Sequence, residues 1–302
     1  MLRIVRFDIY TVRLPFRFAF KHSLASRRYS ENVIVRVECE SATGAIYIGY
    51  GECIPRDYVT GETVESAVNV IKSLFAPALI GREFVDLTAL TAALQECYQL
   101  GHDHSFSAAG APGTRTESST RQGAAFCAIE SALLDVWGRF CGQSLAQMFG
   151  GNPVANRTGI QYGAVVPFGG KKALLAMLWF YKIYGFKTVK LKVGVDQQTD
   201  LAKVRLARRI MGDTAIIRCD ANCAWSVEET VRFAQAAHAY NLASIEQPIP
   251  PGDLDGLRRI SESIAVPVVA DESLCTIGDA RALAAGGAVK AFNIRLSKVG
   301  GF

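Results

Sequence analysis

Four short apolar runs, each carrying a charged residue at or near its end, follow one another through the chain: TVKLKVG (188–194), AIIRCD (215–220), LASIEQP (242–248) and VPVVADES (266–273). The charged positions are Lys192, Asp220, Glu246 and Asp271, separated in turn by 28, 26 and 25 residues. Runs of β-branched residues that alternate with helix-length segments at this period indicate βα units. Because the carboxyl ends of the strands of a parallel barrel meet at one mouth, the pattern predicts that these four side chains share one pocket.

Two further runs, TGIQYGAVV (158–166) and VKAFNIRLS (289–297), bring the predicted barrel strands to six. A closed barrel of βα units has eight strands and about 250 residues. The sequence of 302 residues ends soon after the sixth run. The expected fold class is therefore α/β, a (β/α) barrel apparently truncated after its sixth strand. Completion by something outside the chain is the alternative, because an open sheet would leave two edges exposed.

The first hundred residues have a different pattern, with apolar residues at every second position. Such alternation predicts a three-stranded antiparallel sheet, formed by RIVRFDIYTVRL (3–14), NVIVRVECE (32–40) and AIYIGYGEC (45–53).

Helices are predicted after this sheet at 64–81 and 86–100, then a mobile loop at 101–122, a strongly apolar helix at 123–142 and a short helix at 144–151. We expect two domains: an α+β domain at residues 1–125 and the incomplete barrel, strands one to six, at residues 126–302.

The composition excludes several classes of protein. The 33 basic and 28 acidic residues give a net charge of +5, and the basic residues are scattered, so no nucleic-acid surface is expected. The eight cysteines form no CxxC pair, which favours free thiols in a reducing compartment. The amino terminus has no signal-peptide pattern and no apolar run reaches membrane-spanning length, so we expect a cytoplasmic protein without a membrane partner.

The three carboxylates at successive strand ends predict a metal site. Mg²⁺ prefers oxygen ligands and is usually held by carboxylates together with water and substrate oxygens. A single acidic residue after a strand is more often a helix cap, but Asp220, Glu246 and Asp271 in consecutive units favour a metal centre. Asn222, two residues beyond Asp220, either binds a ligand or shapes the loop.

Lys190 and Lys192 are two residues apart on one strand, so their side chains face the same way. A barrel interior does not accept two lysines without a reason; the alternative is that both lie on the surface beside a short strand. Next to a cation at the mouth, Lys192 would be a usable base. Lys190, one layer lower, would add a like charge and contact a carboxylate.

The end of the sixth run reads NIRLSKVGG (293–301). If the strand continues and Asn293 faces the barrel interior, Arg295 and Ser297 face the same way. Lys298 then lies in the following loop or on the opposite face.

These residues together resemble the enolase superfamily, in particular its muconate-lactonizing enzyme subgroup, which includes dipeptide epimerases, N-acylamino acid racemases, o-succinylbenzoate synthases and muconate cycloisomerases. The resemblance rests on the following motifs: TVKLKVG, RCDAN (218–222), SIEQP (244–248), ADES (270–273), NIRLSKVGG, GYGECIP (49–55), YVTGET (58–63) and AIESALLDVWGRFCGQSLAQMFGG (128–151).

The resemblance implies that the α+β domain caps the barrel mouth, with specificity loops at 19–31 and 58–61. It implies Mg²⁺, with Mn²⁺ possible, as the cofactor, and Asp220, Glu246 and Asp271 as metal ligands. Members of this superfamily remove the α-proton of a carboxylate substrate with a lysine or histidine base. The candidate catalytic residues are Lys192, Lys190 and Arg295.

Arg295 stands where the two-base enzymes of this subgroup carry their second lysine, 24 residues after the third metal ligand. A guanidinium does not give up its proton, so the resemblance implies proton removal from one face only, with Lys298 as an alternative second base. The expected protein is a metal-dependent isomerase or lyase of a small carboxylate, and a homo-oligomer. Epimerisation and cycloisomerisation or elimination stay open. The alternative function is a non-catalytic or impaired relative that binds a carboxylate.

Overall fold

The computed structural model describes residues 1–22, 25–103, 122–150 and 159–302, without the side chains of 17–22, 25–26 and 102–103. The described chain packs as two compact units. The first contains Met1–Pro15, Tyr29–Gly159 and Arg295–Phe302, and the second contains Phe16–Arg28 and Ile160–Ile294. None of the described helices is long and apolar enough to cross a membrane.

The first unit contains the larger part of a sheet of strands β1 (Leu2–His22), β2 (Ala25–Ser41), β3 (Ile46–Cys53) and β4 (Glu83–Phe84), in the order β3-β2-β1-β4; residues 16–28, at the end of β1 and the start of β2, group with the second unit. The predicted number of three strands is therefore wrong, because the sheet has four. The fourth strand, β4, pairs with Leu2 and Arg3. A strand of two residues has too few positions to show alternation, which is why the sequence pattern did not reveal it.

The helices of the first unit are α1 (Asp57–Thr60), α2 (Val64–Val70), α3 (Ala76–Leu79), α4 (Leu87–Asp103), α5 (Gly123–Cys141) and α6 (Leu145–Met148). A π-helical turn at Ile71–Phe75 joins α2 to α3, so the helix predicted at 64–81 is helical but not uniformly α. Residues 101–103 of the predicted loop at 101–122 belong to α4 instead, and residues 104–121 lie outside the described chain.

Helix α5 is the centre of this unit and packs directly on strand β3. A Cβ atom on Gly49 would lie 2.3 Å from the carbonyl oxygen of Ala132, and one on Gly51 would lie 1.9 Å from that of Ala128. Both distances are far below van der Waals contact, so only glycine permits this close approach of strand and helix. The predicted boundary between residues 125 and 126 stays a prediction; by packing, α5 groups with the first unit.

The amino terminus of α5 is capped by a carboxylate from another part of the chain. Glu62 is buried, and its two oxygens accept hydrogen bonds from the backbone N–H groups of Ala124 at 2.9 Å and Ala125 at 3.0 Å. A helix leaves its first N–H groups without partners inside the helix, and its positive end attracts an anion. Burial raises the pKa of Glu62, although the two backbone donors oppose that shift.

We expect Glu62→Ala to lower the free energy of unfolding by about 2–4 kcal/mol, because it leaves two buried N–H donors without their acceptor. The measurement is urea denaturation followed by circular dichroism. Glu65→Ala removes an exposed glutamate from the first turn of α2 and should cost well under 1 kcal/mol. Equal losses in the two variants would contradict a special role for Glu62.

The second unit contains a six-stranded parallel sheet, and the six predicted strands are confirmed in number and order. The strands are β5 (Ala164–Val166), β6 (Thr188–Lys192), β7 (Ile216–Asp220), β8 (Ser244–Glu246), β9 (Val268–Ala270) and β10 (Ala291–Phe292), and each pairs with the next one along the chain. This sequential order of parallel neighbours is the order of strands in a barrel.

The helices between these strands are α7 (Lys171–Ile183), α8 (Gln197–Met211), α9 (Val227–Ala236), α10 (Leu254–Ser263) and α11 (Ile277–Ala285), with a short 3₁₀ turn at His238–Tyr240. The core contains fully buried strand residues such as Leu191, Ile217 and Ile245 together with Phe233 of α9. The strands are therefore held by apolar packing, and the polar side chains are left to their ends.

The sixth strand is shorter than predicted. Strand β10 ends at Phe292, and a four-residue helix, α12 (Leu296–Val299), begins three residues after Asn293. The expectation that Ser297 alternates with Asn293 along a strand is therefore wrong, because Ser297 lies in a helix. Arg295 is the N-cap residue of α12, and Lys298 is buried within that helix, which packs on α5 in the first unit.

Candidate active site

The register of the parallel sheet brings the predicted residues to one edge. Lys192 lies opposite Asp220 in the pairing of β6 with β7, and Asp220 lies opposite Glu246 in the pairing of β7 with β8. Asp271 follows directly after the end of β9. All four residues therefore stand at the carboxyl ends of neighbouring strands, as the spacing predicted.

Lys190 bridges two of the carboxylates. Its Nζ lies 2.8 Å from Oε2 of Glu246 and 3.6 Å from Oδ2 of Asp220. Burial disfavours the charged form of Lys190, but the negative charges of Glu246 and Asp220 outweigh it, so the pKa of Lys190 is raised. Lys190 is therefore a lasting positive charge between the two strands.

Asn293 bridges the next pair. Its amide Nδ2 donates to Oε1 of Glu246 at 2.6 Å and to Oδ2 of Asp271 at 3.2 Å. From the sequence, an inward direction of Asn293 was only a condition, and its partners were not predicted. Through Lys190 and Asn293, the three carboxylates of Asp220, Glu246 and Asp271 belong to one connected cluster, and all three are almost completely buried.

The side chain of Lys192 is buried at the same edge. Its Nζ donates to Oδ2 of Asp220 at 2.7 Å and to Oδ1 of Asn222 at 2.6 Å. On the far side, Lys203 of α8 donates from its Nζ to the backbone carbonyl of Lys192 at 2.6 Å. Hydrogen bonds therefore hold both the backbone carbonyl and the ammonium group of Lys192. The ammonium group lies beside Asp220, a member of the carboxylate cluster.

A fourth carboxylate, that of Glu272, contacts Asn222, which is also a hydrogen-bond partner of Lys192. Its Oε1 accepts a hydrogen bond from Nδ2 of Asn222 at 2.9 Å, and its buried Oε2 has no hydrogen-bond partner among the described residues. Burial, together with the adjacent charge of Asp271, raises the pKa of Glu272 to about 7. The ADES motif contains this residue, but the sequence pattern gave no separate signal for it.

Gln247, which follows Glu246, joins the loop after β8 to the loop after β9. Its Oε1 accepts from the backbone N–H groups of Asp271 and Ser273, both at 3.0 Å, and its Nε2 donates to Oγ of Ser273 and to the carbonyl of Ile249, both at 2.8 Å. Gln247 is fully buried with a φ of +35°. The glutamine of the SIEQP motif therefore fixes the loop that carries Asp271.

The donor set has the chemistry of a divalent-cation site. Asp220, Glu246, Asp271 and Glu272 supply four carboxylates when all are ionised, whereas Lys190 and Lys192 supply two ammonium groups. An excess of two buried negative charges is unfavourable without a counter-ion, and one divalent cation neutralises it. Oε2 of Glu246, buried and without a well-oriented hydrogen bond among the described residues although Lys190 is 2.8 Å away, is an available oxygen donor.

Among the described residues, no three side chains of the His, Cys, Asp or Glu type stand close enough together to enclose a metal ion as they are placed. Lys190 and Asn293 lie between the carboxylates instead. Binding of a cation by these carboxylates would therefore require Lys190 and Asn293 to give up contacts with them.

Two family models match the chain. "Mandelate racemase / muconate lactonizing enzyme, N-terminal domain" matches residues 4–150, and "Enolase C-terminal domain-like" matches residues 176–302. A hydrophobic dipeptide epimerase of Citrifermentans bemidjiense is 30% identical over 96% of this chain and 73% of its own length. The chain belongs to the muconate-lactonizing subgroup of the enolase superfamily.

Solved structures of this superfamily agree in fold. A dipeptide epimerase from Cytophaga hutchinsonii, complexed with Mg and the dipeptide D-Ala-L-Val, is 27% identical and has a TM-score of 0.81. A 2-chloromuconate cycloisomerase from Rhodococcus opacus 1CP is also 27% identical, with a TM-score of 0.82. Each covers 99% of this chain, and this chain covers 74% of each.

The comparisons confirm the resemblance, and with it an isomerase whose relatives are epimerases, racemases and cycloisomerases. They also confirm the coarse architecture, an N-terminal cap followed by a domain of the (β/α) barrel type. The assignment of individual site residues, including Arg295 at the position of the second lysine of the two-base enzymes, stays a prediction.

We expect one Mg²⁺ to bind per chain, measured by isothermal titration calorimetry. Glu246→Gln and Asp271→Asn should each weaken that binding at least about tenfold, because each removes an anionic oxygen ligand. Glu262→Gln, at an exposed position of α10, is the matched control and should bind as the wild type does. Unchanged affinity in either site variant would remove that carboxylate from the ligand set.

Proposed function

We propose that Lys192 is the base with which this isomerase removes the α-proton of a small carboxylate substrate. One observation carries the proposal: the Lys192 ammonium is fixed at the carboxyl edge of the sheet, 2.7 Å from Asp220 and 2.6 Å from Asn222, beside three buried carboxylates. A general base needs a fixed position within hydrogen-bond reach of the proton before any other property matters. Lys192 has that position.

Asp220, Glu246 and Asp271 would hold the cation. When bound, Mg²⁺ supplies the positive charge that stabilises an enolate. A relative from Cytophaga hutchinsonii that is complexed with Mg supports this choice of cation, and Mn²⁺ suits the same oxygen donors.

Lys190 would serve as a fixed charge rather than as a base. It contacts both Glu246 and Asp220, and its raised pKa keeps it protonated near neutral pH. In that state it holds two of the proposed ligands on adjacent strands.

Arg295 supports chemistry on one face of the substrate. The two-base enzymes of the subgroup carry a lysine at this position, and a guanidinium can offer charge and hydrogen bonds but cannot accept a proton. One-base isomerisation of the cycloisomerase kind is consistent with that substitution, with Arg295 stabilising the enolate. Epimerisation of a dipeptide or an N-acylated amino acid would need another base on the second face, for which Lys298 is the candidate.

The alternative of a non-catalytic carboxylate-binding relative is disfavoured by the retained carboxylate cluster. Without a cation, the repulsion among the buried carboxylates of Asp220, Glu246 and Asp271 would be offset only in part by Lys190 and Lys192. None of the eight cysteines, all within the described ranges, is in a disulfide, which supports the proposed cytoplasmic location. A homo-oligomer stays a prediction.

We expect Lys192→Ala to abolish α-proton exchange of an accepted substrate in D₂O, because no other group would take the proton at that face. Exchange is followed by proton NMR with substrates found by screening dipeptides, N-acylated amino acids and muconolactones. Mg²⁺ binding, measured by calorimetry, should survive. Lys187→Ala, at an exposed position just before β6, is the control. Full exchange in Lys192→Ala would place the base elsewhere.

We expect the wild-type enzyme to exchange the α-proton of only one enantiomer of each chiral substrate. Arg295→Lys should open exchange of the other enantiomer, because a lysine can lose its proton beside a cation whereas an arginine cannot. The same NMR measurement with separated enantiomers tests both statements. Efficient exchange of both enantiomers by the wild type would show that Lys298 or another residue is already a second base.

A further inference from the structure

The hydrogen bonds of Lys192 continue beyond its immediate partners. Lys192 donates to Oδ1 of Asn222 at 2.6 Å, and Nδ2 of the same amide donates to Oε1 of Glu272 at 2.9 Å. All three side chains are buried. The chain of contacts runs from the end of β6, through the loop after β7, to the loop after β9.

The chemistry of the two ends fixes the orientation of the amide. An ammonium can only donate hydrogen bonds, so it requires the carbonyl oxygen of Asn222, and a carboxylate oxygen accepts, so it requires the amide nitrogen. A flipped amide would place Nδ2 against Lys192 and Oδ1 against Glu272, and both contacts would be repulsive. Glu272 therefore selects the orientation in which Asn222 accepts from Lys192.

The backbone of Asn222 is fixed as firmly as its side chain. Asn222 and Cys223 have φ values of +44° and +64°, a left-handed conformation that asparagine accepts more readily than most residues. Two backbone hydrogen bonds anchor this loop to the end of β8. The N–H of Ala221 donates to the backbone carbonyl of Glu246, and the N–H of Cys223 donates to the backbone carbonyl of Gln247. The N–H of Asn222 also donates to Oδ1 of Asp220 at 3.1 Å.

We propose that Asn222 and Glu272 are positioning residues for Lys192: Glu272 orients the Asn222 amide, and the Asn222 carbonyl holds the Lys192 ammonium at the carboxyl edge of the sheet. This inference rests on the proposed role of Lys192 as the base. It assigns a function to the buried Glu272, which is not among the proposed metal ligands. The alternative is that the hydrogen bond between Asn222 and Glu272 only connects the loop after β7 to the loop after β9.

The test uses three variants of the full chain, with substrate turnover and Mg²⁺ affinity measured for each. Glu272→Ala removes the acceptor that orients Asn222. Glu272→Gln keeps an acceptor oxygen in the same place. Asn222→Gly removes the amide but tolerates the positive φ, so it separates loss of the contact from backbone strain.

We expect Glu272→Ala and Asn222→Gly each to lower kcat about 10- to 100-fold, because a base displaced by about 1 Å loses its alignment. KM and Mg²⁺ affinity should change less than about threefold, and Glu272→Gln should recover most of the lost kcat. Ser261→Ala, which breaks a loop contact to the carbonyl of Ala288, is the control for loop ties and should leave kcat unchanged.

The double variant Asn222→Gly/Glu272→Ala decides whether Glu272 acts through Asn222. If it does, the double variant loses no more kcat than Asn222→Gly alone, because the second change removes nothing further. Losses that multiply would overturn the relay, and so would a fall in Mg²⁺ affinity that parallels the fall in kcat. The assay stays informative if Glu272→Ala folds poorly, since Asn222→Gly and Glu272→Gln test the same contacts.

Lys192→Ala, measured alongside, separates this inference from the proposed function. If Lys192→Ala still exchanges the α-proton, the proposed base is wrong whatever Glu272 does. If Lys192→Ala is inactive while Asn222→Gly and Glu272→Ala turn over like the wild type, the base stands and the positioning role is overturned.

Discussion

The concentration of buried negative charge at one edge of the parallel sheet is the constraint around which the second unit is arranged. Asp220, Glu246 and Asp271 are almost fully buried, and the ammonium groups of Lys190 and Lys192 and the amide of Asn293 lie among them. Buried charges of one sign are costly unless they are paired or bind a cation. The cluster is therefore unfavourable for the stability of the fold by itself, and it is well suited to binding a divalent cation.

A buried carboxylate elsewhere in the chain, that of Glu62, shows by comparison what makes the cluster at the sheet edge different. Glu62 also lies out of contact with water, but two backbone N–H groups of α5 and the positive end of that helix satisfy it. Groups of the protein itself therefore compensate the burial of the Glu62 carboxylate. At the sheet edge, Oε2 of Glu272 has no hydrogen bond within the described chain, and Oε2 of Glu246 has no well-oriented one although the Lys190 ammonium is 2.8 Å away.

Strained loop backbone keeps these groups in place. Asn222, Cys223 and Gln247 all have positive φ in the loops directly after β7 and β8, a conformation that costs free energy in residues other than glycine. Gln247 offsets that cost with three hydrogen bonds to the loop that carries Asp271 and with one to the carbonyl of Ile249 in its own loop. Rigid loops after short strands let the sheet hold side chains from four strands in one fixed arrangement, which a base and a metal site both require.

The sequence by itself determined the order of the six parallel strands and the residues at their ends. That was possible because strand periodicity is local and because parallel strands place their carboxyl ends on the same edge. It also identified the superfamily, through several motifs in the right order. It overestimated the length of the sixth strand and missed β4, since a pattern of two residues carries no period.

Only the tertiary structure decided which side chains contact one another at that edge. The bridges made by Lys190 and Asn293, the support that Gln247 gives to the Asp271 loop and the chain from Lys192 through Asn222 to Glu272 join residues 22 to 56 positions apart. Such contacts depend on register, on rotamers and on left-handed loop conformations. Those are set by packing across the sheet and leave no periodic signal in the chain.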